Sequence, residues 1–292
     1  MTPGQIQHQQ SLDQIMQIHK LNNDVGALCN GIDCQTVRGG SEINQIYEAL
    51  CHHGLLVFPA QELGGADLTK FMSKFNTLRP RHGIEKTLES FPHVVIVSNI
   101  KENGKAIGHQ PDQGIEWHSD GTGWQQDTLA TCLYGVEIPK QGGDTLFANG
   151  YLSFDALPPA LSKQVKDLSI TYSRLYLYER LGRANGLSAE ERIRFSDMTR
   201  PLVTRHPVTQ REALVFSIEE CKCIDGMNES RSYEFLSQLL ELTTAENQIY
   251  RHQWRVGDLL VWDNRCMMHT PTEYNYATQR RRLHRVIGLQ PD

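Results

Sequence analysis

The sequence predicts a mainly β fold with peripheral helices, of the kind that closes into a jelly-roll barrel. Several apolar runs have the length of strands: residues 54–58 stop at Pro59, and residues 94–97 are rich in valine and isoleucine. Beyond Gly114 strand patterns dominate, at residues 129–138, 144–148, 170–177, 202–206, 213–217 and 259–262. Helical patterns occur between the strands, at residues 43–50, 68–75, 151–157, 188–198 and 230–242.

Local signals support several of these elements in turn. The first helical pattern leads directly into the apolar run at residues 54–58, so a helix is followed by a buried strand. Ser188, with Glu191 three residues later, is the sequence signature of a helix N-terminus. Residues 207–211 fit the turn of a β-hairpin, and Gly257 with Asp258 marks the turn before the strand at 259–262.

The chain of 292 residues is expected to form one domain. Residues 1–24 are polar without a clear period and are interpreted as a partly ordered N-terminal arm, so the single domain spans residues 25–292. A hydrophobic content of 39% with 22% charged residues is typical of a globular protein with a sizeable core.

Composition excludes several classes of partner. The formal charge of −5 and the absence of a basic block argue against a nucleic-acid surface. The sequence has neither a signal-peptide pattern nor an apolar run of membrane-spanning length, so we expect no membrane partner. Seven scattered cysteines favour a reducing, cytoplasmic location. A homo-oligomer is compatible with all of these features.

The strongest chemical signal is the segment Trp117–Gly121. If this segment ends a strand, His118 and Asp120 point to the same face, with Cα atoms about 6–7 Å apart. His269, which follows the strand at 259–262, is the candidate third ligand. Two histidines and one carboxylate that leave open positions are typical of non-haem iron(II) oxygenases. A histidine that only hydrogen-bonds a nearby aspartate is the structural alternative.

These residues belong to a wider pattern, which resembles the taurine dioxygenase-like family, including 2,4-dichlorophenoxyacetate dioxygenase. The resemblance runs from about residue 25 to residue 289, and the motifs keep the family's order. The matching stretches are residues 54–58, 117–120, 142–147, 205–209, 262–265 with His269, and 281–285. Six matches in one order are far more specific than any single one.

The resemblance implies a double-stranded β-helix, a cupin-like jelly roll, that holds Fe(II) through His118, Asp120 and His269. It also implies that 2-oxoglutarate chelates the iron and that Arg281 and Thr145 bind its distal carboxylate. The arginine fork is suited to a carboxylate, and the threonine hydroxyl adds a donor.

The choice of Arg281 depends on the register of the last strand. In the predicted register Arg281 and Arg285 share one face, and Arg280 and Arg282 lie on the other, where surface arginines are the simpler interpretation.

For the substrate, the resemblance implies an acidic small molecule whose anionic group lies near Arg285. Arg81 and Asn99 are further candidate contacts, although at Arg81 the residue type departs from the family. Arg285 could instead be a second partner for 2-oxoglutarate or part of a structural ion pair.

The predicted function is a dioxygenase that uses Fe(II), 2-oxoglutarate and O2, most simply for hydroxylation, with release of succinate and CO2. Desaturation or cyclisation of a specialised metabolite is the alternative within this chemistry. Asp120 argues against halogenation, because related halogenases replace the carboxylate ligand by a small residue. Alternatives of other classes are a zinc hydrolase and a non-catalytic metal-binding jelly-roll protein.

Other polar residues near the motifs receive structural interpretations. Asp144 follows two glycines and is expected to stabilise a turn, and Asp263 and Asn264 are expected to brace the loop that carries His269. His206 and His252 show no partner pattern and are interpreted as structural.

Overall fold

The computed structural model describes residues 16–75, 77–80, 85–109, 116–182 and 184–290. The strands are β1 (Gln17–Lys20), β2 (Ala27–Asn30), β3 (Leu55–Phe58), β4 (Thr87–Leu88), β5 (Phe91–Ser98), β6 (Lys101–Glu102), β7 (Lys105–Ala106), β8 (Thr128–Glu137), β9 (Thr145–Asn149), β10 (Ser169–Tyr172), β11 (Met198–Pro201), β12 (Val203–Arg205), β13 (Glu212–Leu214), β14 (Cys221–Ile224), β15 (Ile249–His252), β16 (Leu259–Asp263), β17 (Met267–Pro271) and β18 (Arg282–Leu289). The helices are α1 (Ser41–His53), α2 (Gly65–Met72), α3 (Gly150–Asp155), α4 (Pro159–Lys166), α5 (Arg174–Arg180), α6 (Ala189–Arg194) and α7 (Glu229–Thr243), with 3-10 turns at Asn22–Asp24, Ala184–Gly186 and Glu246–Gln248.

Two sheets build the barrel. The large sheet has the strand order β1-β2-β3-β16-β8-β18-β5-β4, and the small sheet has the order β15-β9-β17. Neighbouring strands are antiparallel except for β2 and β3, which are parallel. Side chains from the inner faces of both sheets form one buried cluster, so the sheets pack face to face. The predicted mainly β jelly roll is confirmed.

The large sheet is buried on both faces, which explains the continuous apolar runs in its central strands. Along β16, Leu259 and Val261 pack with helices α1 and α2, whereas Leu260 and Trp262 face the small sheet. The alternation follows from the period of two in a strand. Helices thus cover one face of the large sheet and the small sheet covers the other.

Two expectations about local structure are wrong. Residues 170–177 are not one strand, because β10 ends at Tyr172 and Ser173 caps helix α5 by accepting a hydrogen bond from the Tyr176 backbone N–H. The alternating leucines of α5 resemble a strand pattern, but the serine cap favours a helix. The segment around His118 is not a strand either: it makes a single antiparallel bridge to His269.

Other local predictions are confirmed. Ser188 and Glu191 form a capping box at the start of α6, and β12 and β13 pair as the two strands of a hairpin. Of the proposed N-terminal arm, β1 is exposed and pairs with β2. Residues 1–15 lie outside the described residues, so the boundary at residue 25 stays a prediction. Within the described chain, no helix combines the length and the apolar character needed to cross a bilayer.

Replacing Phe58 by alanine tests the packing of α1 and α2 on the large sheet. Phe58 is fully buried and contacts Phe71 edge to face, with ring centroids 6.0 Å apart. We expect Phe58→Ala to lower the free energy of unfolding by about 3–5 kcal/mol, because a large cavity replaces the ring. Urea denaturation measures the change. The control Leu242→Ala, at an exposed position of α7, should stay within about 0.5 kcal/mol of the wild type; equal effects of the two substitutions would contradict this packing.

Candidate metal centre and active site

His118, Asp120 and His269 meet at one end of the barrel. A possible ligand atom from each residue lies within 4.8 Å of the others. His118 Nε2 is 3.8 Å from Asp120 Oδ1, and the two imidazole rings have centroids 4.2 Å apart. The structure therefore brings the three sequence-predicted residues together, although their segments are far apart in the chain.

Backbone pairing places the two histidines. The His118 N–H donates to the His269 carbonyl at 3.0 Å, and the His269 N–H donates to the His118 carbonyl at 2.8 Å. His269 belongs to β17, which pairs with β9 of the small sheet. The loop that carries His118 is thereby tied to a rigid strand, without being a strand itself.

Asp120 is fixed by hydrogen bonds from the first residues of β8. Thr128 Oγ1 donates to the Asp120 carbonyl, and Thr131 Oγ1 donates to Asp120 Oδ2 at 2.8 Å. Gly121 lets the chain turn away, because its φ is +87° and a Cβ atom there would lie 2.5 Å from the Thr128 side chain. One carboxylate oxygen is thus held by the protein, and the other faces His118.

The residues after β16 brace this arrangement, as the sequence predicts. Asn264 Nδ2 donates to Thr131 Oγ1 at 3.0 Å, and Ser119 Oγ donates to the Asn264 carbonyl at 2.7 Å. Asp263, fully buried, accepts hydrogen bonds from the backbone and the guanidinium of Arg265. The loop before β17 is therefore rigid where it approaches the triad.

The ring of His118 has a defined orientation. Its Nδ1 lies 2.9 Å from the Glu116 carbonyl, which can only accept a hydrogen bond. Nδ1 therefore carries the proton, and Nε2, on the side of Asp120, keeps its lone pair. A hydrogen bond of this kind is the usual support of a metal-binding imidazole.

Protonation states at the centre suit a cation. Burial acts to raise the pKa of Asp120, but the neighbouring His269 and Arg285 outweigh it and lower this pKa to about 2. Burial, and then the proximity of His118, lower the pKa of His269 to about 3. At neutral pH Asp120 is ionised and His269 is neutral, and these are the forms in which both residues bind metals.

The donor set fits an iron(II) ion. Ligand bonds of about 2.1 Å would place neighbouring donor atoms about 3 Å apart, which is close to the separation of His118 and Asp120. Nδ1 of His269 is buried and has no hydrogen-bond partner among the described residues. The centre therefore has donor capacity that the described protein groups leave unused, and three ligands leave positions open for other molecules.

Arg281 and Thr145 line the same cavity as the triad. The Arg281 guanidinium is buried, forms no salt bridge with any described residue, and donates only from Nε to the Gly143 carbonyl at 3.0 Å in the described contacts. Burial lowers the pKa of Arg281. Trp254 Nε1 donates to Thr145 Oγ1 at 3.0 Å, so the hydroxyl proton is left to point elsewhere.

The structure has the predicted register at the last strand. Arg281 and Arg285 both line the cavity, whereas Arg280 is exposed and pairs with Glu137. Arg282 donates to His284 Nε2 at 3.2 Å. Arg285 itself pairs with Glu85, its Nη2 lying 2.9 Å from Oε1.

Asn99 and Arg81, the two other predicted substrate contacts, have different outcomes. Asn99 does not line the cavity: its Nδ2 donates to the carbonyls of Tyr276 and Gln279, and its Oδ1 accepts from the Arg281 N–H at 2.8 Å. Its amide is consumed in holding the segment before β18, so the prediction of a substrate contact is wrong and Asn99 positions the backbone of Arg281. Arg81 lies outside the described residues.

One structural interpretation needs correction, and the two histidines interpreted as structural have defined partners. Asp144 does not support its own turn through its side chain but pairs with Arg251 at 2.7 Å. His206 and His252, for which the sequence shows no partner, each face a buried carboxylate, Asp263 at 3.0 Å and Asp258 at 3.1 Å. Sequence separation hides the first of these pairs, which joins residues 57 positions apart.

The cavity has a volume of about 950 Å³ and extends from the triad to helices α5 and α6. Its wall includes charged and aromatic residues that the sequence analysis missed: Arg79, Glu85, Trp124 and Arg174. The sequence did not indicate that Arg174 lines the cavity, because its segment resembles a strand. No local pattern marks Arg79 or Glu85, since their role depends on contacts with β18.

Comparison with known proteins agrees with this geometry. The model of the taurine catabolism dioxygenase TauD, TfdA family matches residues 17–287. An (S)-phenoxypropionate/alpha-ketoglutarate-dioxygenase from Delftia acidovorans is 26% identical over 291 residues, with 95% of this chain and 96% of the relative covered. An alpha-ketoglutarate-dependent 2,4-dichlorophenoxyacetate dioxygenase from Cupriavidus pinatubonensis is 28% identical over 269 residues, with 88% and 92% covered.

Solved structures give the same result. A taurine dioxygenase from Burkholderia xenovorans is 25% identical and superposes with a TM-score of 0.77, covering 94% of this chain and 90% of that one. AAD-2 in complex with Mn(II) and N-oxalylglycine, 24% identical, shares the fold with a TM-score of 0.78, and 95% of this chain and 98% of that one are covered. The chain therefore belongs to the taurine catabolism dioxygenase TauD, TfdA family, and it is an iron(II)- and 2-oxoglutarate-dependent oxidoreductase.

Proposed function

We propose that the protein hydroxylates a small organic acid, with Fe(II) held by His118, Asp120 and His269. The observation that carries the proposal is the buried guanidinium of Arg281, which has no counterion among the described residues and opens on the same cavity as the triad. A buried unpaired charge is costly, so such a residue is expected where a ligand supplies the anion.

The co-substrate 2-oxoglutarate fits this arrangement. Its distal carboxylate takes two guanidinium donors of Arg281 and the hydroxyl proton of Thr145, while its other end reaches the metal. Trp254 positions Thr145 by donating to its oxygen. A zinc hydrolase or a silent metal-binding protein would need neither the unpaired arginine nor this donor arrangement.

Bound iron(II), with 2-oxoglutarate and O2, supplies the oxidising power, and succinate, CO2 and the oxidised substrate are the products. The protein's own residues position the reactants and exclude water from the site. Asp120 contributes the anionic ligand, and the hydrogen bond from Thr131 orients it. Buried Trp262 and Leu133 line the cavity near the metal and limit the access of water.

The proposed substrate carries an anionic group that binds near Arg285. Phenoxypropionate and 2,4-dichlorophenoxyacetate, named for two relatives, are both carboxylic acids. The cavity of about 950 Å³ is large enough for an aromatic or branched body in addition to the acid group. Product mass distinguishes the reactions. Hydroxylation adds one oxygen atom, and its product separates into two fragments, a phenol and a 2-oxo acid, if the hydroxylated carbon also carries an ether oxygen; desaturation or cyclisation removes two hydrogen atoms.

Alanine at any of the three ligand positions should abolish turnover. We expect His118→Ala, Asp120→Ala and His269→Ala to lose both stoichiometric iron and substrate-coupled succinate release, because two ligands hold the metal weakly and misplace its open positions. Metal analysis and a succinate assay test this. His52→Ala, at an exposed position near the end of α1, is the control and should match the wild type; a triad variant that did the same would lose its assigned role.

Arg281→Ala should raise the dissociation constant of 2-oxoglutarate. The loss of a charge-assisted bidentate contact costs about 2–5 kcal/mol when the carboxylate stays desolvated. Isothermal titration of the Mn(II)-loaded protein measures the constant without turnover. Arg280→Ala is the matched control, since Arg280 is exposed and pairs with Glu137. A larger effect at Arg280 than at Arg281 would contradict the assignment.

Arg285→Ala should raise the KM for acidic substrates found in a succinate-release screen. The effect should be absent for neutral amides of the same acids, because the arginine recognises charge. Steady-state kinetics on matched acid and amide pairs gives the result. Efficient turnover of a neutral substrate with unchanged kcat and KM in the variant would leave Arg285 a purely structural residue.

A further inference from the structure

Arg285 does not face the cavity as an isolated cation. Glu85 Oε1 accepts from Arg285 Nη2 at 2.9 Å and from Arg79 Nη2 at 2.7 Å, and Glu85 Oε2 accepts from the same Arg79 nitrogen at 2.8 Å. All three residues line the cavity that contains the triad. One carboxylate is therefore shared by two guanidinium groups, and we call Arg79, Glu85 and Arg285 the shared-carboxylate cluster.

The cluster is largely removed from water. Arg79 is 4% exposed, and the side chains of Glu85 and Arg285 are 13% and 22% exposed. Because solvent screens such charges poorly, their sum matters to a ligand that enters the cavity. Two guanidinium groups and one carboxylate sum to +1, and without Glu85 the sum would be +2.

Other charged residues of the cavity wall lie near the cluster. Arg79 lies over the ring of Trp124 at 4.7 Å, and Arg174 lies over the same ring at 5.4 Å. Arg174 has its own counterion, Glu220, at 3.8 Å. Among the described residues, Arg79 and Arg174 therefore contact the same ring, but each pairs with a different carboxylate.

The cluster also keeps unused hydrogen-bond donors. The Nε–H groups of Arg79 and Arg285 are buried and have no hydrogen-bond partner in the described part of the chain. The side chain of Arg285 is 22% exposed and lines the cavity, so an incoming anion can reach it while Glu85 stays in place. The bound anion then shares Arg285 with the carboxylate of Glu85. Because both groups are negatively charged, their repulsion weakens the binding of the anion.

We propose that Glu85 is a specificity-determining residue, which sets how strongly the cavity prefers an anionic substrate over its neutral analogue. The inference rests on the proposed function, because it concerns the substrate subsite beside the iron. With Glu85 present the subsite accepts a monoanion at moderate affinity. Without it, the same anion meets two guanidinium groups that carry a charge of +2 between them, and the repulsion from the Glu85 carboxylate is gone.

A purely structural ion pair would behave differently. If Glu85 only fastened the segment around Arg79 to β18, its replacement would weaken the binding of charged and neutral ligands alike. If Glu85 determines specificity, its replacement changes the affinity for the anion alone and makes the anion bind more tightly. The sign of the change therefore separates the two roles.

The test uses protein loaded with Mn(II) and N-oxalylglycine, in which an amide nitrogen replaces one methylene of 2-oxoglutarate. Isothermal titration measures the dissociation constants of phenoxyacetate and of phenoxyacetamide, a near-isosteric pair that differs in charge. The proteins are the wild type, Glu85→Gln, Glu85→Asp and the control Glu89→Gln. Glu89 lies four residues away and is exposed, so its substitution makes the same change of net charge outside the cavity.

We expect Glu85→Gln to bind phenoxyacetate at least about tenfold more tightly than the wild type, since like charges at such distances change binding by one to two orders of magnitude. Phenoxyacetamide binding should stay unchanged, and Glu85→Asp and Glu89→Gln should remain within about threefold of the wild type for both ligands. Unchanged or weaker binding of phenoxyacetate by Glu85→Gln, an equal shift for the amide, no measurable binding by either protein, or failure of Glu85→Gln to fold would overturn the proposal.

The same titrations distinguish this failure from a failure of the proposed function. If the wild type did not bind N-oxalylglycine in the presence of Mn(II), the proposed function would be contradicted. If it did, and the charge of residue 85 had no effect on phenoxyacetate, only the role of Glu85 would be lost.

Discussion

Two backbone hydrogen bonds between His118 and His269 hold the centre together. They connect the segment around His118, which belongs to none of the sheets of the described residues, to β17, a strand of the small sheet. The side chains that meet there depend on this bridge, because Asp120 lies two residues beyond His118 and the Thr131 hydrogen bond fixes its carboxylate. Strands of both sheets therefore hold the side chains of this centre in fixed positions, as a metal site requires.

Arg281 and Arg285, the two arginines that face the cavity at β18, differ in their charged partners. Arg281 has no described counterion, and its burial is compensated when a carboxylate ligand enters. Arg285, four residues on, already has Glu85 as a partner. In the proposed function, Arg281 is therefore a strong anchor for the co-substrate, whereas Arg285, on the same face, is a weaker contact for the substrate.

The fold class was predictable because strand patterns are local, whereas the triad was predicted from the spacing of His118 and Asp120 together with six stretches that match the family in order. The continuous apolar runs of β3 and β16 indicate buried strands, and the side chains of His118 and Asp120, two residues apart, can point to the same face of the chain. Contacts between distant segments were not predictable. Glu85 and Arg285 are 200 positions apart, and the true partners of Asn99 lie in the segment before β18. Helix α5 was missed because Leu175 and Leu177 alternate as they would in a strand.

Anaerobic absorption spectroscopy of the wild-type protein tests most directly whether one cavity binds both Fe(II) and 2-oxoglutarate. Addition of Fe(II) followed by 2-oxoglutarate should produce a weak visible metal-to-ligand charge-transfer band that saturates with the co-substrate and is absent with Zn(II). A protein that bound Zn(II) tightly, gave no band with Fe(II) and did not bind 2-oxoglutarate would contradict the account.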